Sequence, residues 1–139
     1  MPSRICHVVL LTDAIDETAR FLLDVVGMTE PRWFDNDSAQ STLVFGWPPV
    51  AEPGRRVVIG RPPGMVELVE IPVELRGTVE PGLAFVAFAT PDVEGYAEQA
   101  ETAGFDAGPV QTVPGAGDPA TLAPVTVGGI PWQFMRFGS

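Results

Sequence analysis

The only histidine of the chain stands in the middle of an apolar run. His7 lies in "RICHVVLL" (4–11), where a buried strand would normally carry another hydrophobic side chain. A buried imidazole needs a hydrogen-bonding or metal partner, because an unpaired polar group in an apolar interior costs a few kcal/mol. The neighbouring Cys6 is an unsuitable partner, since adjacent residues of a strand point to opposite faces. His7 is therefore a candidate for proton transfer or metal binding, and Cys6 is expected to be a buried, inert thiol.

The elements that would hold His7 occur twice along the chain. A β-rich run at 5–12 is followed at 13–28 by helical periodicity, with Asp13 as the expected N-cap and Gly27 as the stop. The same order returns as a strand at 82–90 and a helix at 91–105. Further strands are expected at 30–37, 41–47, 55–60 and 64–72, and again at 108–113, 122–127 and 130–137.

This repetition predicts two modules, residues 1–75 and 76–139, joined through the polar, turn-rich segment 72–82. "HVVLLTDAI" of the first module aligns with "FVAFATPDV" of the second. Neither module is long enough for a comfortable core of its own. We therefore expect either one structural domain or a dimer in which modules are exchanged between chains. The segment "GAGDPA" (115–120) resembles a dinucleotide fingerprint but is predicted to be a loop, because no helical pattern follows it.

Composition excludes several classes of function. The formal net charge is −10, and all eight basic residues are arginine. This charge disfavours binding to nucleic acid or to an anionic membrane surface, and the absence of lysine excludes Schiff-base chemistry. One cysteine cannot form an intrachain disulfide, and no apolar stretch approaches the roughly 20 residues of a membrane span. A cytoplasmic location is the expectation.

The chain resembles the vicinal oxygen chelate superfamily, which includes glyoxalase I, bleomycin-resistance proteins and extradiol dioxygenases. The resemblance rests on "HVVLLTDAIDETARFLLDVVGM", "GMVELVEIP", "GLAFVAFATPDVEGYAEQAETAGF" and "GGIPWQFMRF". It implies an α+β fold of two βαβββ modules, whose curled mixed sheets enclose a cleft. In members that use a metal, the ion is held by residues on the first and last strands of each module.

Transferred to this sequence, the resemblance implies His7 and Glu67 at the two ligand positions of the first module. In the second module the equivalent positions hold Phe85 and Gln133. A dioxygenase set of two histidines and a carboxylate cannot be assembled within this chain. An amide oxygen is a weak ligand for zinc or nickel, so no firm cofactor is expected. A divalent ion (Zn, Ni, Fe or Mn) is expected to bind only weakly at His7, Glu67 and Gln133, if it binds.

Strand periodicity places the candidate residues on shared faces. Ile5, His7, Val9 and Leu11 are expected to face one way. Phe85 is the aromatic residue expected inside the cleft, and Trp33 and Trp47 are candidates for its mouth. Trp132 and Phe134 are expected to pack in the core on the face opposite Gln133. The expected ligand-binding residues are Phe85, Gln133, Val9, Leu11, Val69, Ala87 and Met135.

Three functions remain open at this stage. The first is an isomerase, epimerase or lyase in which His7 and Glu67 form an acid–base pair without a tightly bound metal. The second is a binding protein of the bleomycin-resistance type that sequesters a small molecule. The third is a glyoxalase-like metalloenzyme with a reduced ligand set. Each predicts a small, partly apolar organic ligand, and a homodimer is expected.

Overall fold

The computed structural model describes residues 4–114 and 118–138, so part of the "GAGDPA" segment lies outside the described residues. The first half contains β1 (Arg4–Thr12), α1 (Ile15–Arg20, continued by a π-helical turn at Phe21–Val26), β2 (Pro31–Asp35), α2 (Ser38–Phe45), β3 (Arg55–Ile59) and β4 (Met65–Glu70). A short 3₁₀ turn (Val73–Leu75) leads to β5 (Gly82–Ala89), α3 (Val93–Thr102), β6 (Asp106–Ala107), β7 (Gln111–Val113), β8 (Ala120–Val127) and β9 (Ile130–Phe137).

The described strands form one curled, unclosed sheet in the order β2-β3-β4-β1-β5-β9-β8-β6, with β7 also paired to β8. The first strand of each half lies parallel to the last strand of that half, β1 to β4 and β5 to β9. The strands β1 and β5 pair antiparallel in the middle of the sheet. The α+β fold expected from the sequence is confirmed.

The two halves have matching registers. Val9 is aligned with Glu67 on β4, and Ala87 is aligned with Gln133 on β9. When the halves are compared on these pairs, His7 and Phe85 occupy equivalent positions, each two residues before the aligned residue. The segment from His7 to the helix-ending Gly27 is one residue longer than the equivalent segment from Phe85 to Gly104. The π-helical turn at the end of α1 accounts for this residue, because a π-bulge adds one residue to a helix.

Two faces of the sheet carry different cores. The inner, concave face holds a large cluster that includes Val9, Met65, Phe85 and Met135. The outer face is covered by the helices: α1 packs on a cluster that includes Leu68, and Val93 and Ala97 of α3 pack with Ala123. No helix among the described residues has the length and apolar character needed to cross a membrane.

The segment 41–47, expected to be a strand, is mostly helical, and this prediction is wrong. The helix α2 begins after Asp37, whose carboxylate accepts a hydrogen bond from the Gln40 backbone N–H at 2.9 Å. It ends at Gly46, which has the left-handed φ of +72°. The run of Thr42, Leu43 and Val44 favours a strand locally, but a cap and a glycine stop at suitable spacing define one short helix.

The predicted N-cap of the first helix is also wrong. The helix α1 begins at Ile15, and the Asp13 side chain makes no cap to it. Thr12 instead accepts a hydrogen bond from the Ala14 N–H at 3.0 Å through its Oγ1 atom. The threonine hydroxyl thus provides a hydrogen-bond partner for a backbone N–H group in the turn between β1 and α1.

Equivalent bulges interrupt β1 and β5, and the bulge in β1 shows that the expected face of Ile5 is wrong. Ile5 pairs with Phe88, whereas His7 pairs with Ala87, so Cys6 is the extra residue on β1. On β5 the extra residue is Ala84, between Leu83 and Phe85. Ile5 and Leu83 therefore lie on the opposite face from His7 and Phe85. The bulge also places Cys6 in the inner cluster with Val9, against the expectation that it faces away from His7.

Candidate functional site

The candidate residues lie in two adjacent rows across the inner face. The first row runs from Met65 on β4 through His7 and Ala87 to Gln133 on β9. In the second row, Val9 pairs with Glu67 on one side and with Phe85 on the other. Sheet pairing thus brings the polar candidates from three strands onto one surface.

The apolar candidates are core residues of this surface. Val9, Val69, Ala87 and Met135 are buried in the inner cluster, and Leu11 packs against it. Phe85 is 7% exposed, and its ring lies edge-on to the His7 ring with centroids 6.5 Å apart. These residues form the wall behind the polar groups, and their predicted role in contacting a ligand stays a prediction.

The two remaining tryptophan candidates lie on different faces. Trp47 is buried over the inner face, where it stacks on Phe45 at a centroid distance of 4.6 Å. Phe45 in turn lies 6.2 Å from the Phe85 ring. Trp33 pairs with Val57 and so lies on the outer face, beneath the Arg55 guanidinium. The expectation that Trp33 lines the mouth of the cleft is therefore wrong.

Two buried polar atoms of the first row lack hydrogen-bond partners within the described structure. They are Nδ1 of His7 and Oε1 of Gln133, on residues that are 5% and 6% exposed. Buried polar atoms are nearly always paired, and an orphan atom of this kind requires an explanation. The Gln133 oxygen is an acceptor, and the His7 nitrogen accepts or donates according to the tautomer of the ring, so a polar group placed between the strands would satisfy them.

Glu67 has a partner that the sequence analysis missed. The Arg56 Nη1 atom on β3 donates to Glu67 Oε1 at 3.2 Å, and both side chains are mostly buried. The Arg56 guanidinium also lies 4.8 Å from the centroid of the Phe34 ring. Arg56 points inward because its position on β3 is aligned with Val69 of β4. Alternation along "RRVVIG" was the available signal, since it puts one of the two arginines on each face.

Burial decides the charge of His7. Desolvation lowers the pKa of the imidazole below its usual 6.5, and this outweighs the nearby Glu67 carboxylate, which raises that pKa; Arg56 lowers it further. The imidazole is thus neutral at pH 7 and able to accept a proton. Glu67 favours the imidazolium, as expected of an acid–base pair, but the loss of solvation on burial is the larger effect. Burial, assisted by Glu67, raises the pKa of the Cys6 thiol, which disfavours a nucleophilic thiolate.

The His7 pKa predicts a pH dependence of stability. The unfolded chain takes up a proton at His7 at a higher pH than the folded chain does. Protonation therefore favours unfolding, and the free energy of unfolding should decrease as pH falls from about 7 through the ordinary imidazole range. Urea titrations at several pH values, for the wild type and for His7→Gln, measure this effect. The variant should lose this part of the slope while it keeps the part due to carboxylates, and identical slopes would contradict the assignment.

The residues present do not fit a closed metal centre of four side chains. Phe85 supplies no donor atom at the fourth position, and Arg56 already binds one oxygen of Glu67. Gln133 offers only a neutral amide oxygen. Residues 4–114 and 118–138 contain no group of three or more His, Cys, Asp or Glu side chains arranged to hold a metal.

A small cavity of about 40 Å³ opens beside Glu67. This volume admits water molecules but no larger ligand. His7 is not among the residues that line it. The lining residues are Asn36, Gln40, Ser41, Val44, Phe45, Arg56, Glu67 and Val69.

The curled sheet, with its first and last strands paired in each half, is the fold of the vicinal oxygen chelate class. Residues 4–133 match the model of the Glyoxalase/Bleomycin resistance protein/Dioxygenase superfamily, and the chain belongs to this superfamily. No curated protein matches the chain.

Solved structures share the fold at low sequence identity. A hypothetical protein from Bacillus halodurans C-125 aligns with a TM-score of 0.73 at 14% identity, over 97% of this chain and 94% of its own. Methylmalonyl-CoA epimerase from Mycobacterium tuberculosis aligns with a TM-score of 0.66 at 12% identity, over 95% and 86%. A variant of the Streptomyces coelicolor methylmalonyl-CoA epimerase, in complex with 2-nitronate-propionyl-CoA, aligns with a TM-score of 0.66 at 14% identity, over 97% of both chains. Such identities show the fold alone.

Proposed function

We propose that the chain is an enzyme of the epimerase or isomerase type, which moves a proton at a carbon atom of a small organic molecule. The observation that carries this proposal is the buried, neutral His7 imidazole, whose Nδ1 atom has no partner within the described residues. A neutral imidazole held in place on a strand is suited to act as a general base. The similarity in fold to methylmalonyl-CoA epimerases adds support at the level of reaction type.

In the proposed reaction, His7 removes the proton from a carbon next to a carbonyl group. The electron pair of the broken C–H bond moves into an enolate, whose oxygen needs positive charge or hydrogen-bond donors. Arg56, on the neighbouring part of the inner face, is the proposed source of that charge. Return of the proton from His7 to the opposite face of the same carbon, after the enolate turns within the site, completes an epimerisation. Return of the proton to the far carbon of a conjugated dienolate completes an isomerisation. In both cases Glu67 is proposed to hold the Arg56 guanidinium at this face through their ion pair. Because the donor set does not complete a metal centre, no step is assigned to a metal.

Substrate entry requires a change in the cover of the inner face. Phe45 stacks on Trp47 and makes a tilted contact with Phe85, and His7 is 5% exposed. A substrate larger than the cavity beside Glu67 must displace some of these side chains. We expect such movement in α2 and in the segment that follows it, since these elements lie over the sheet rather than within it.

Solvent exchange tests the proposal directly. Methylmalonyl-CoA, the compound in the names of the epimerase structures, is incubated with the purified chain in D₂O, and the C2 proton is followed by NMR. The proposed function predicts loss of that signal, at a rate proportional to protein concentration. Loss of the signal should continue after dialysis against EDTA. Exchange that stops on chelation and returns with one equivalent of divalent ion would show a metalloenzyme instead.

A panel of other 2-substituted thioesters and carboxylic acids extends the assay beyond one substrate. Saturable binding without exchange would favour the sequestering function over the enzyme. Absence of both binding and exchange across the panel would contradict a small-molecule site at His7. The expected homodimer stays a prediction.

A further inference from the structure

A large apolar groove lies on the outer face of the second half, away from the His7 site. Its volume is about 640 Å³, and it runs between α3 and the strands β5, β8 and β9. Phe88 and Trp132 in its wall alternate along their strands with Ala87 and Gln133, which face inward. The sheet itself therefore separates the groove from the candidate active site. Its aromatic wall consists of Phe88, Tyr96, Phe105, Trp132 and Phe134.

Comparison of the two helices explains why the groove is open. The first turns are equivalent: Ile15 and Ala19 of α1 are buried, as are Val93 and Ala97 of α3. One turn later the halves differ. The first half has Leu22 and Leu23, which pack on the outer cluster, whereas the aligned residue of α3 after one turn is Ala100.

On the sheet, in contrast, the second half carries the larger side chains. Leu10 and Val66 of the first half correspond to Phe88 and Trp132 of the second, by the same strand registers. Large aromatic side chains thus face small helical ones. Phe105, Ile130 and Val127 remain 50%, 42% and 39% exposed around this space. Phe134 packs against the cluster of Val93, Ala97 and Ala123, as expected for a core residue, but both Phe134 and Trp132 also line a surface groove, which was not expected.

The aromatic wall is arranged before any ligand binds. Phe88 and Trp132 stack with centroids 5.7 Å apart and planes at 20°. Tyr96 and Phe134 stack at 5.0 Å and 22°, and Phe134 lies 6.0 Å from Phe88. Rings fixed by mutual stacking lose little conformational entropy when they bind another flat group.

We propose that this groove binds one small, uncharged, aromatic molecule. Its volume lies within the roughly 300–1,000 Å³ of small-molecule sites. None of the lining residues is charged, so an ionic group would be buried there without compensation. The only polar lining side chains are Gln99 and Tyr96, too few to satisfy the backbone of an inserted peptide.

Filling the groove from the protein side tests this proposal. The substitution Ala100→Leu places at that position the residue that the first half has at Leu22, and Ala103→Leu is a second filling variant. Ala39→Leu on α2 is the matched control, since Ala39 is exposed and lies outside the groove. The probe is neutral N-phenyl-1-naphthylamine, whose fluorescence rises in apolar surroundings. Its sulfonated analogue, 8-anilino-1-naphthalenesulfonate, tests the effect of charge.

The wild type should bind one equivalent of the neutral probe and bind the sulfonate less tightly. Either filling variant should weaken neutral-probe binding by about tenfold or more, and Ala39→Leu should leave it unchanged. Trp132→Phe should reduce energy transfer from protein to probe. Absence of saturable binding, or equal binding by the filling variants, would overturn the proposal. So would sedimentation of the wild type as a dimer that Ala100→Leu converts to a monomer, because a second copy would then cover the groove.

Discussion

His7→Gln should lower the rate of C2 deuterium exchange by about 10²–10⁴-fold, the usual contribution of a positioned general base. Glutamine keeps a polar side chain of similar length but cannot accept a proton at neutral pH. The loss should fall on kcat, since the proposed role of His7 lies in the chemical step and not in substrate affinity. NMR exchange rates at saturating and limiting substrate separate these two effects.

The dependence of the exchange rate on pH distinguishes a general base from a residue that only supports the structure. Burial lowers the pKa of His7, so the wild-type rate should hold down to about pH 6.5 and decline only below the ordinary imidazole range. His7→Gln should lack this decline. Cys6→Ala is the control, because Cys6 is the buried neighbour of His7 and has no assigned part in the reaction. A His7→Gln rate within a few-fold of wild type, or an equal loss in Cys6→Ala, would refute the assignment.

Leu68→Ala should reduce the free energy of unfolding by about 2–5 kcal/mol. Leu68 is fully buried on β4, and it packs with Ile15, Ala19 and the β3 valine Val57 beneath α1. Truncation removes apolar contacts between α1 and the sheet. It also leaves a cavity that cannot collapse, because β4 is held by strands on both sides. Urea unfolding monitored by circular dichroism measures the change.

A surface leucine provides the comparison for this substitution. Leu43 lies on α2 and is 50% exposed, so Leu43→Ala should change the free energy of unfolding by no more than about 0.5 kcal/mol. The slope of unfolding free energy against urea should be similar in both variants and the wild type. Equal effects of the two substitutions would contradict the packing assigned to Leu68.

The sequence predicts the fold well because both halves carry the same order of periodicities. Strand and helix patterns at 5–28 recur at 82–105, and the structure has the expected strand–helix pairs there. The exceptions are local. The helix α2 depends on a cap at Asp37 and a stop at Gly46, which outweigh the strand preference of the residues between them.

The site was partly predictable. His7, Glu67 and Gln133 do share one face, as strand alternation and the repeat indicate. Alternation fails near Cys6 and Ala84, because each bulge adds a residue that no residue-type pattern marks. The Arg56–Glu67 ion pair joins the consecutive strands β3 and β4. Alternation can place Arg56 on the inner face, but the register of β3 against β4 is needed to bring it to Glu67. The pKa of His7 likewise depends on how deeply the assembled sheet buries it.

The central position of β1 has a consequence for the order in which the chain can fold. Both partners of this strand, β4 and β5, are synthesised long after it. During translation the apolar strand therefore remains without either sheet partner until about half of the chain has emerged. Pairings of such large sequence separation slow folding, because loop-closure entropy must be overcome before the contacts form. We infer that pairing of β1 with both β4 and β5 is the late, rate-limiting step of folding. Nascent chains that end before β5 are then the species most prone to aggregation.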